Sequence, residues 1–177
     1  MTGLLILQVW RLNRLIHPRW RMTPGNDQTF LSLSVALTGF SQFDLQGTGM
    51  CEQYFRTARE NAAAILEELL YTFKKVEEQS GGDPEKLEQG LRHSIMADPK
   101  FGPLARNIIK MWYLGSWYEL PGDWRAAYGE SPGDVTFVIS SEAYLQGLAW
   151  KAMQAHPMGG KETGFGTWAH PPIETRR

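Results

Sequence analysis

The fold is decided by residues 50–79, MCEQYFRTARENAAAILEELLYTFKKVEEQ, which form the longest helical pattern in the chain. Apolar residues recur there at spacings of three and four, as expected for a helix with one buried face. Charged residues such as Arg56, Glu60, Glu67 and Lys74 fall elsewhere. At 1.5 Å per residue such a helix spans about 45 Å. We therefore expect it to be the central support of the fold.

The segment before this helix also predicts a helix, over residues 28–38. Asp27 is placed to cap its start, and Gly39 stands where a left-handed C-terminal cap is favoured. The pattern is apolar on nearly all sides, which indicates burial. Residues 41–49 then predict a loop.

Two helix starts follow the long pattern. Asp83-Pro84 and Asp98-Pro99 each place a capping side chain before a proline, which is tolerated in the first turn. Residues 116–133 predict a loop, and only residues 135–139 favour a strand. The sequence therefore predicts an all-α fold, with a single helical domain packed around one long helix.

The last third of the chain begins as a helix and ends as an apolar tail. Helical spacing from Tyr144 to Met153 stops at His156-Pro157. Seven of the 17 residues at positions 156–172 are Gly or Pro, so neither a helix nor a central strand is expected there. Because the same run contains large apolar side chains, we expect it to dock on this chain's helices or on another protein.

These patterns divide the chain into an N-terminal arm (residues 1–26), a helical domain (27–155) and an irregular docking tail (156–177). The apolar run at residues 3–10 is shorter than the roughly 20 residues of a membrane-spanning helix. Its positive charges follow it, whereas a secretory signal places them first. We therefore predict no clear signal peptide in the arm.

The composition narrows the function. A net charge of −1 predicts no nucleic-acid partner. Cys51 is the only cysteine, so this chain alone has no internal disulfide or cysteine metal cluster. We interpret Cys51 as a small buried residue, with a disulfide to a partner chain and thiol chemistry as alternatives. The seven tryptophans are consistent with either a Trp-rich core or an interface.

A search for catalytic chemistry finds no convincing motif. Gly164-Phe165-Gly166 lacks the third glycine of a dinucleotide loop, and Gly159-Gly160-Lys161 is followed by Glu162 where a phosphate loop needs Ser or Thr. We therefore predict no catalytic and no cofactor-binding residue in this chain.

The histidines give no better signal for a metal. None of them pairs at the i, i+4 spacing that places two imidazoles on one helix face. His156 and His170 flank the Gly-rich tail and could meet near Glu162, but a hydrogen-bonded histidine at a helix end is the simpler interpretation of His156. We therefore predict no metal ligand.

Several short motifs carry a family resemblance. They are GLAW at residues 147–150, AHPMGG at 155–160 and GFGTW at 164–168, with FLSLS at 30–34, LTGF at 37–40 and WYLG at 112–115 upstream. Together they resemble the small subunit of FAD-dependent sugar and polyol dehydrogenase complexes, the glucose, sorbitol and fructose dehydrogenase group. The likeness runs from about residue 27 to residue 172 and is most specific in the tail.

The resemblance implies a non-catalytic small subunit, which binds a large flavoprotein subunit and assists its folding, maturation or export. It implies no cofactor in this chain, with FAD and an iron–sulfur cluster in the large subunit and haem c in a cytochrome c subunit. Membrane association would arise only through the complex. We expect the partner-binding residues to be Trp112, Trp117, Trp150, His156, Met158, Phe165 and Trp168.

The resemblance also implies a periplasmic location, or the periplasmic face of the inner membrane. Family members commonly carry a twin-arginine signal, and this sequence has no Arg-Arg pair before Arg176-Arg177, so a cytoplasmic location stays open. The alternative to a subunit is a free-standing helical enzyme with a pocket near His156.

Overall fold

The computed structural model describes residues 25–162 and 164–170. The predictions for the apolar run at residues 3–10 and for the arginines around it lie outside the described residues. Within the described part the chain is mostly helical with one two-stranded sheet, so the prediction of an all-α fold is confirmed.

The elements follow one another with short connections. The helices are α1 (Asn26–Thr38), α2 (Gln42–Gly47), α3 (Cys51–Ser80), α4 (Pro84–Leu91), a π-helical turn (Arg92–Met96), α5 (Phe101–Leu114), α6 (Gly122–Tyr128), α7 (Ser141–Leu145), α8 (Ala149–Ala152) and a 3-10 turn (Phe165–Ala169). Strand β1 (Ser116–Trp117) pairs antiparallel with β2 (Phe137–Val138).

Helix α3 is the central helix, as its apolar spacing predicts. It packs against α1, α4 and α5, and its inward face is buried along its whole length. Phe30 of α1 meets Phe55 of α3 with ring centroids 5.3 Å apart. Tyr54 of α3 meets Trp112 of α5 edge to face at 4.8 Å. Such aromatic pairs add about 0.5–1.5 kcal/mol each beyond the apolar area that they bury.

A kink interrupts α3 at Ala62, whose backbone leaves the helical region (φ −150°, ψ 44°). The loop before β2 packs at this point. The Ser131 hydroxyl donates to the Glu60 carbonyl at 3.3 Å, and the Asn61 amide oxygen lies so close to Gly133 that a Cβ there would be 2.9 Å away. Side chains that enter a helix ladder are a common cause of kinks, so this kink depends on a tertiary contact.

The three predicted helix starts are present, and the first residues of two of them differ slightly from the prediction. Helix α1 begins at Asn26, two residues earlier than predicted, and Gly25 rather than Asp27 is its cap residue. Asp83 caps α4 as predicted, by accepting from the amides of Glu85 and Lys86. Asp98 accepts from the amides of Lys100 and Phe101, and α5 begins two residues after Pro99.

Two predictions of local structure are wrong. The predicted loop at 41–49 contains α2, because the Ser41 hydroxyl caps a short helix by accepting from the Asp44 amide at 3.1 Å. The predicted continuous helix after residue 140 is broken into α7 and α8. The Leu148 amide there donates to the Trp112 carbonyl at 3.0 Å instead of continuing the helical ladder.

The predicted loop at 116–133 is also more structured than expected, since it contains β1 and α6. The predicted strand at 135–139 is present as the two residues of β2. In this antiparallel pairing Ser116 lies opposite Val138 and Trp117 lies opposite Phe137. This pairing brings the end of α5 beside α7, and so positions the helices on which the tail lies.

Candidate partner-binding surface

The C-terminal tail folds back onto α7 and α8 instead of extending away from them. The Trp168 ring meets the Trp150 ring of α8 at a centroid distance of 5.3 Å and an interplanar angle of 64°. The Trp168 indole N–H donates to the Pro157 carbonyl at 3.2 Å. The 3-10 turn is therefore attached both to α8 and to the first residues of the tail.

The paired glycines of the tail allow two side chains to pack closely on the backbone. A Cβ on Gly159 would lie 2.2 Å from the Phe165 ring, and a Cβ on Gly160 would lie 2.5 Å from the Leu145 side chain. A side chain at either position would therefore force Phe165 or Leu145 to shift.

A second contact joins the beginning of the tail to its last described residue. One ring nitrogen of His156 lies 2.5 Å from the carbonyl oxygen of His170. The two histidines do come close, as their flanking positions suggested, but through a ring-to-backbone contact. Among residues 25–162 and 164–170 no group of three or more His, Cys, Asp or Glu side chains is arranged to hold a metal ion.

An apolar cavity of about 300 Å³ lies between α5, the two short helices and the tail. The described residues that line it are Tyr113, Leu114, Tyr144, Gly147, Ala149, Trp150, Met153 and Met158. This lining contains no carboxylate, imidazole or thiol, and His156 is not part of it. The titratable groups in this lining are the phenols of Tyr113 and Tyr144, and the Tyr113 hydroxyl donates to the Thr38 carbonyl at 3.1 Å.

The rim of this cavity is an exposed apolar surface. Met153 is 63% exposed and Tyr144 is 51% exposed, and both line the cavity. Phe165 is 78% exposed, although its ring also covers Gly159. We name the group of exposed side chains around the cavity the tail patch. It consists of Leu114, Tyr144, Met153, Phe165 and Trp168.

The predicted contact residues divide into two groups. Phe165 and Trp168 are exposed, and Trp150, His156 and Met158 are half-buried beside them. The structure therefore brings these five together.

Trp112 and Trp117 lie apart from that group, in the chain's own core. Trp112 is 1% exposed, packed edge to face on Tyr54, and Trp117 is 0% exposed, with its indole N–H donating to Asp134. As buried side chains they offer a partner no surface, which corrects the expectation that they support the contact directly.

Sequence reasoning did not single out Leu114, Tyr144 and Met153 as exposed. Tyr144 and Met153 fitted the apolar face of one continuous helix, whose natural interpretation is burial. The break between α7 and α8 turns both side chains to solvent. Gly147 was the available signal, because glycine within a helical pattern lowers the stability of the helix there.

One ion pair on α8 connects this region to α2. The Lys151 ammonium of α8 lies 2.5 Å from the Asp44 carboxylate of α2. Hydrogen bonds from Lys151 and from the Ser41 hydroxyl lower the pKa of Asp44 below its ordinary value. This ion pair therefore connects α2 to α8.

Cys51 lies at the start of α3 and is half-buried against the core. Burial, with smaller contributions from Asp27 and Glu52, raises the pKa of its thiol to about 11. At neutral pH the side chain is therefore a thiol, and nucleophilic cysteine chemistry, which needs the thiolate, is disfavoured there.

Comparison of the chain with protein-family models, with curated proteins and with solved structures finds no match. In the part of the chain that the structure describes, no helix combines the length and the apolar character needed to cross a bilayer.

Proposed function

We propose that this chain is a non-catalytic small subunit of a heteromeric FAD-dependent sugar or polyol dehydrogenase. It binds the large flavoprotein subunit through the tail patch and assists the folding, maturation or export of that subunit. The proposal joins the motif resemblance of the tail to one structural observation. That observation is the cluster of exposed, bulky apolar side chains around an apolar cavity, which includes Phe165 and Trp168 of the tail, where the most specific motifs lie.

The energetics of this surface support a protein partner. Fully burying an exposed side chain of the size of Met153 or Phe165 contributes at most about 1.5–3 kcal/mol. Exposed apolar clusters around a cavity are typical of protein interaction sites. Tryptophan is enriched among the residues that contribute most to binding, and here the rings of Trp150 and Trp168 are in contact.

The self-contacts of the tail also favour binding. The Trp168–Pro157 and His156–His170 contacts hold the tail in place before a partner arrives. A segment that is already ordered loses less conformational entropy on association, so more of its contact energy is available as affinity. The tail thus combines exposed apolar groups with an arrangement that presents them.

In this proposal the redox chemistry belongs to the other subunits. FAD and an iron–sulfur cluster are expected in the large subunit, and haem c in a cytochrome subunit that receives the electrons. The complex is expected at the periplasmic face of the inner membrane, and this chain reaches the membrane only through its partners.

The test is a pull-down from the native host with this chain tagged at its N-terminus. The flavin absorbance and the mass of the eluted partner identify a flavoprotein, and sugar oxidation with an artificial electron acceptor identifies its substrate. We expect a flavin spectrum with the wild-type chain. A wild-type chain that elutes folded and without any flavoprotein would overturn the proposal.

Variants localise the contact. Met153→Asp and Phe165→Asp place a charge on the tail patch at largely exposed positions, so the fold is expected to tolerate them. Tyr71→Asp is the matched control, because Tyr71 is a similarly exposed aromatic residue on α3. We expect the two patch variants to lose most of the flavoprotein and the control to retain it. Equal retention by all three would exclude the tail patch as the contact surface.

A further inference from the structure

Lys161 is a half-buried lysine of the tail, three residues after Met158. Its amide donates to the Met158 carbonyl at 2.8 Å, in the turn that places Met158 in the lining of the cavity. Burial lowers the pKa of the Lys161 ammonium, an effect that Glu142 opposes and that Lys151 adds to. A cation in this position is thus incompletely compensated by its surroundings.

The charged groups nearest to Lys161 already have other partners. The Lys151 ammonium is paired with Asp44, and a Glu142 carboxylate oxygen accepts from the Gln146 amide at 2.7 Å. Lys161 belongs to none of the ion pairs formed among residues 25–162 and 164–170. A carboxylate that approached from outside would therefore meet a lysine that forms no ion pair within the described residues and that Glu142 influences only at longer range.

The turn that holds Met158 in the lining of the apolar cavity also carries Lys161, and this combination indicates the chemistry of an occupant. Resting on the proposed function, we propose that the flavoprotein subunit inserts a bulky apolar side chain into the cavity and places an Asp or Glu carboxylate from the same segment on Lys161. The cavity of about 300 Å³ accepts the apolar side chain, and the ion pair fixes the direction in which the segment lies. Charge complementarity of this kind contributes mainly to specificity and orientation.

Cross-linking of the purified complex tests the ion pair directly. A carbodiimide joins a carboxylate to an amine with which it is in contact, and mass spectrometry of the digest identifies the two peptides. We expect a cross-link between Lys161 and an acidic residue of the flavoprotein subunit that has a large apolar residue beside it. If the complex forms and other lysines cross-link to the flavoprotein while Lys161 does not, the inference is wrong.

Substitutions give a second, independent readout, which is the dissociation rate of the flavoprotein from the immobilised chain. We expect Lys161→Glu to speed dissociation by at least about 10-fold, because like charges in a closed interface are costly. Lys161→Arg keeps the charge and should dissociate as slowly as wild type. Lys74→Glu is the control, since Lys74 is an exposed lysine on α3. Circular dichroism and thermal unfolding establish that each variant is folded.

The outcomes separate the two proposals. If the wild-type chain retains no flavoprotein, the proposed function fails, and this inference fails with it. If the wild-type chain retains the flavoprotein but Lys161→Glu dissociates at the wild-type rate, only the inference about the acidic and apolar segment fails. Faster dissociation of Lys161→Glu with an unchanged Lys74→Glu supports it.

Discussion

The Trp117 indole N–H donates to the Asp134 carboxylate at 2.8 Å, and both residues are buried. The same carboxylate accepts from the Leu120 amide at 3.1 and 3.2 Å. One acidic side chain therefore satisfies two buried donors, one from β1 and one from the segment that follows it. This arrangement fixes the loop that also packs against the kink in α3.

Removing that carboxylate is expected to destabilise the fold. Asp134→Ala leaves the Trp117 and Leu120 donors unpaired, at about 1–3 kcal/mol for each. We expect a loss of about 2–4 kcal/mol in the free energy of unfolding, measured by urea denaturation. Glu130→Ala, at an exposed position nearby, is the control and should change stability little. A loss below about 1 kcal/mol for Asp134→Ala would mean that water replaces the carboxylate.

Two glycines at helix ends offer a matched comparison. Gly39 and Gly115 both have left-handed backbones (φ +73° and +65°), so alanine at either costs about 1–2 kcal/mol for the conformation alone. A Cβ at Gly39 meets nothing within 4 Å, whereas one at Gly115 would lie 2.3 Å from the Ala143 carbonyl oxygen. We expect Gly115→Ala to lower the melting temperature clearly more than Gly39→Ala. Equal losses would show that α7 can move away from α5.

The sequence predicts the long helix well and its kink not at all. Apolar spacing repeats throughout α3, so burial of one face follows directly from it. Ala63 and Ala64, which follow Ala62, favour helix, and the only weak helix former beside it is Asn61. The kink instead depends on Ser131 and Gly133, which are distant in the sequence. Local patterns carry no information about such contacts.

The sequence likewise predicts some features of the candidate site and misses others. Gly and Pro in the tail correctly predict an irregular segment, in which Phe165 and Trp168 stay exposed. The aromatic surplus does not say which tryptophans face inwards, and Trp112 and Trp117 are buried because α5 and β1 pack against α3 and Asp134. The cavity rim was missed because it exists only where the Leu148 amide bonds to the Trp112 carbonyl and ends the helical ladder.

The Asp44–Lys151 pair predicts an effect of acid. Lys151 lowers the pKa of Asp44, so the pair favours the folded state above the ordinary carboxyl pKa of 3.8. This contribution is lost as the pH falls below that value and Asp44 is protonated in the folded chain. We expect Lys151→Ala to raise the Asp44 pKa in an NMR titration. The free energy of unfolding of this variant should also depend less on pH below about pH 4. An Asp44 pKa unchanged by Lys151→Ala would show that the Ser41 hydroxyl alone sets it.

Deletion of residues 158–177 separates folding from binding. The core of the described structure is formed by α1, α3, α5 and the residues after β1, and no residue beyond Leu148 belongs to its buried cluster. We therefore expect the truncated chain to keep most of its helical signal in far-UV circular dichroism. The deletion removes Met158 from the cavity and Phe165 and Trp168 from the tail patch, so we expect the flavoprotein to be lost from the pull-down. A truncated chain that retains its partner at full yield would place the contact on another surface, and a truncated chain that unfolds would show that the tail belongs to the folding unit.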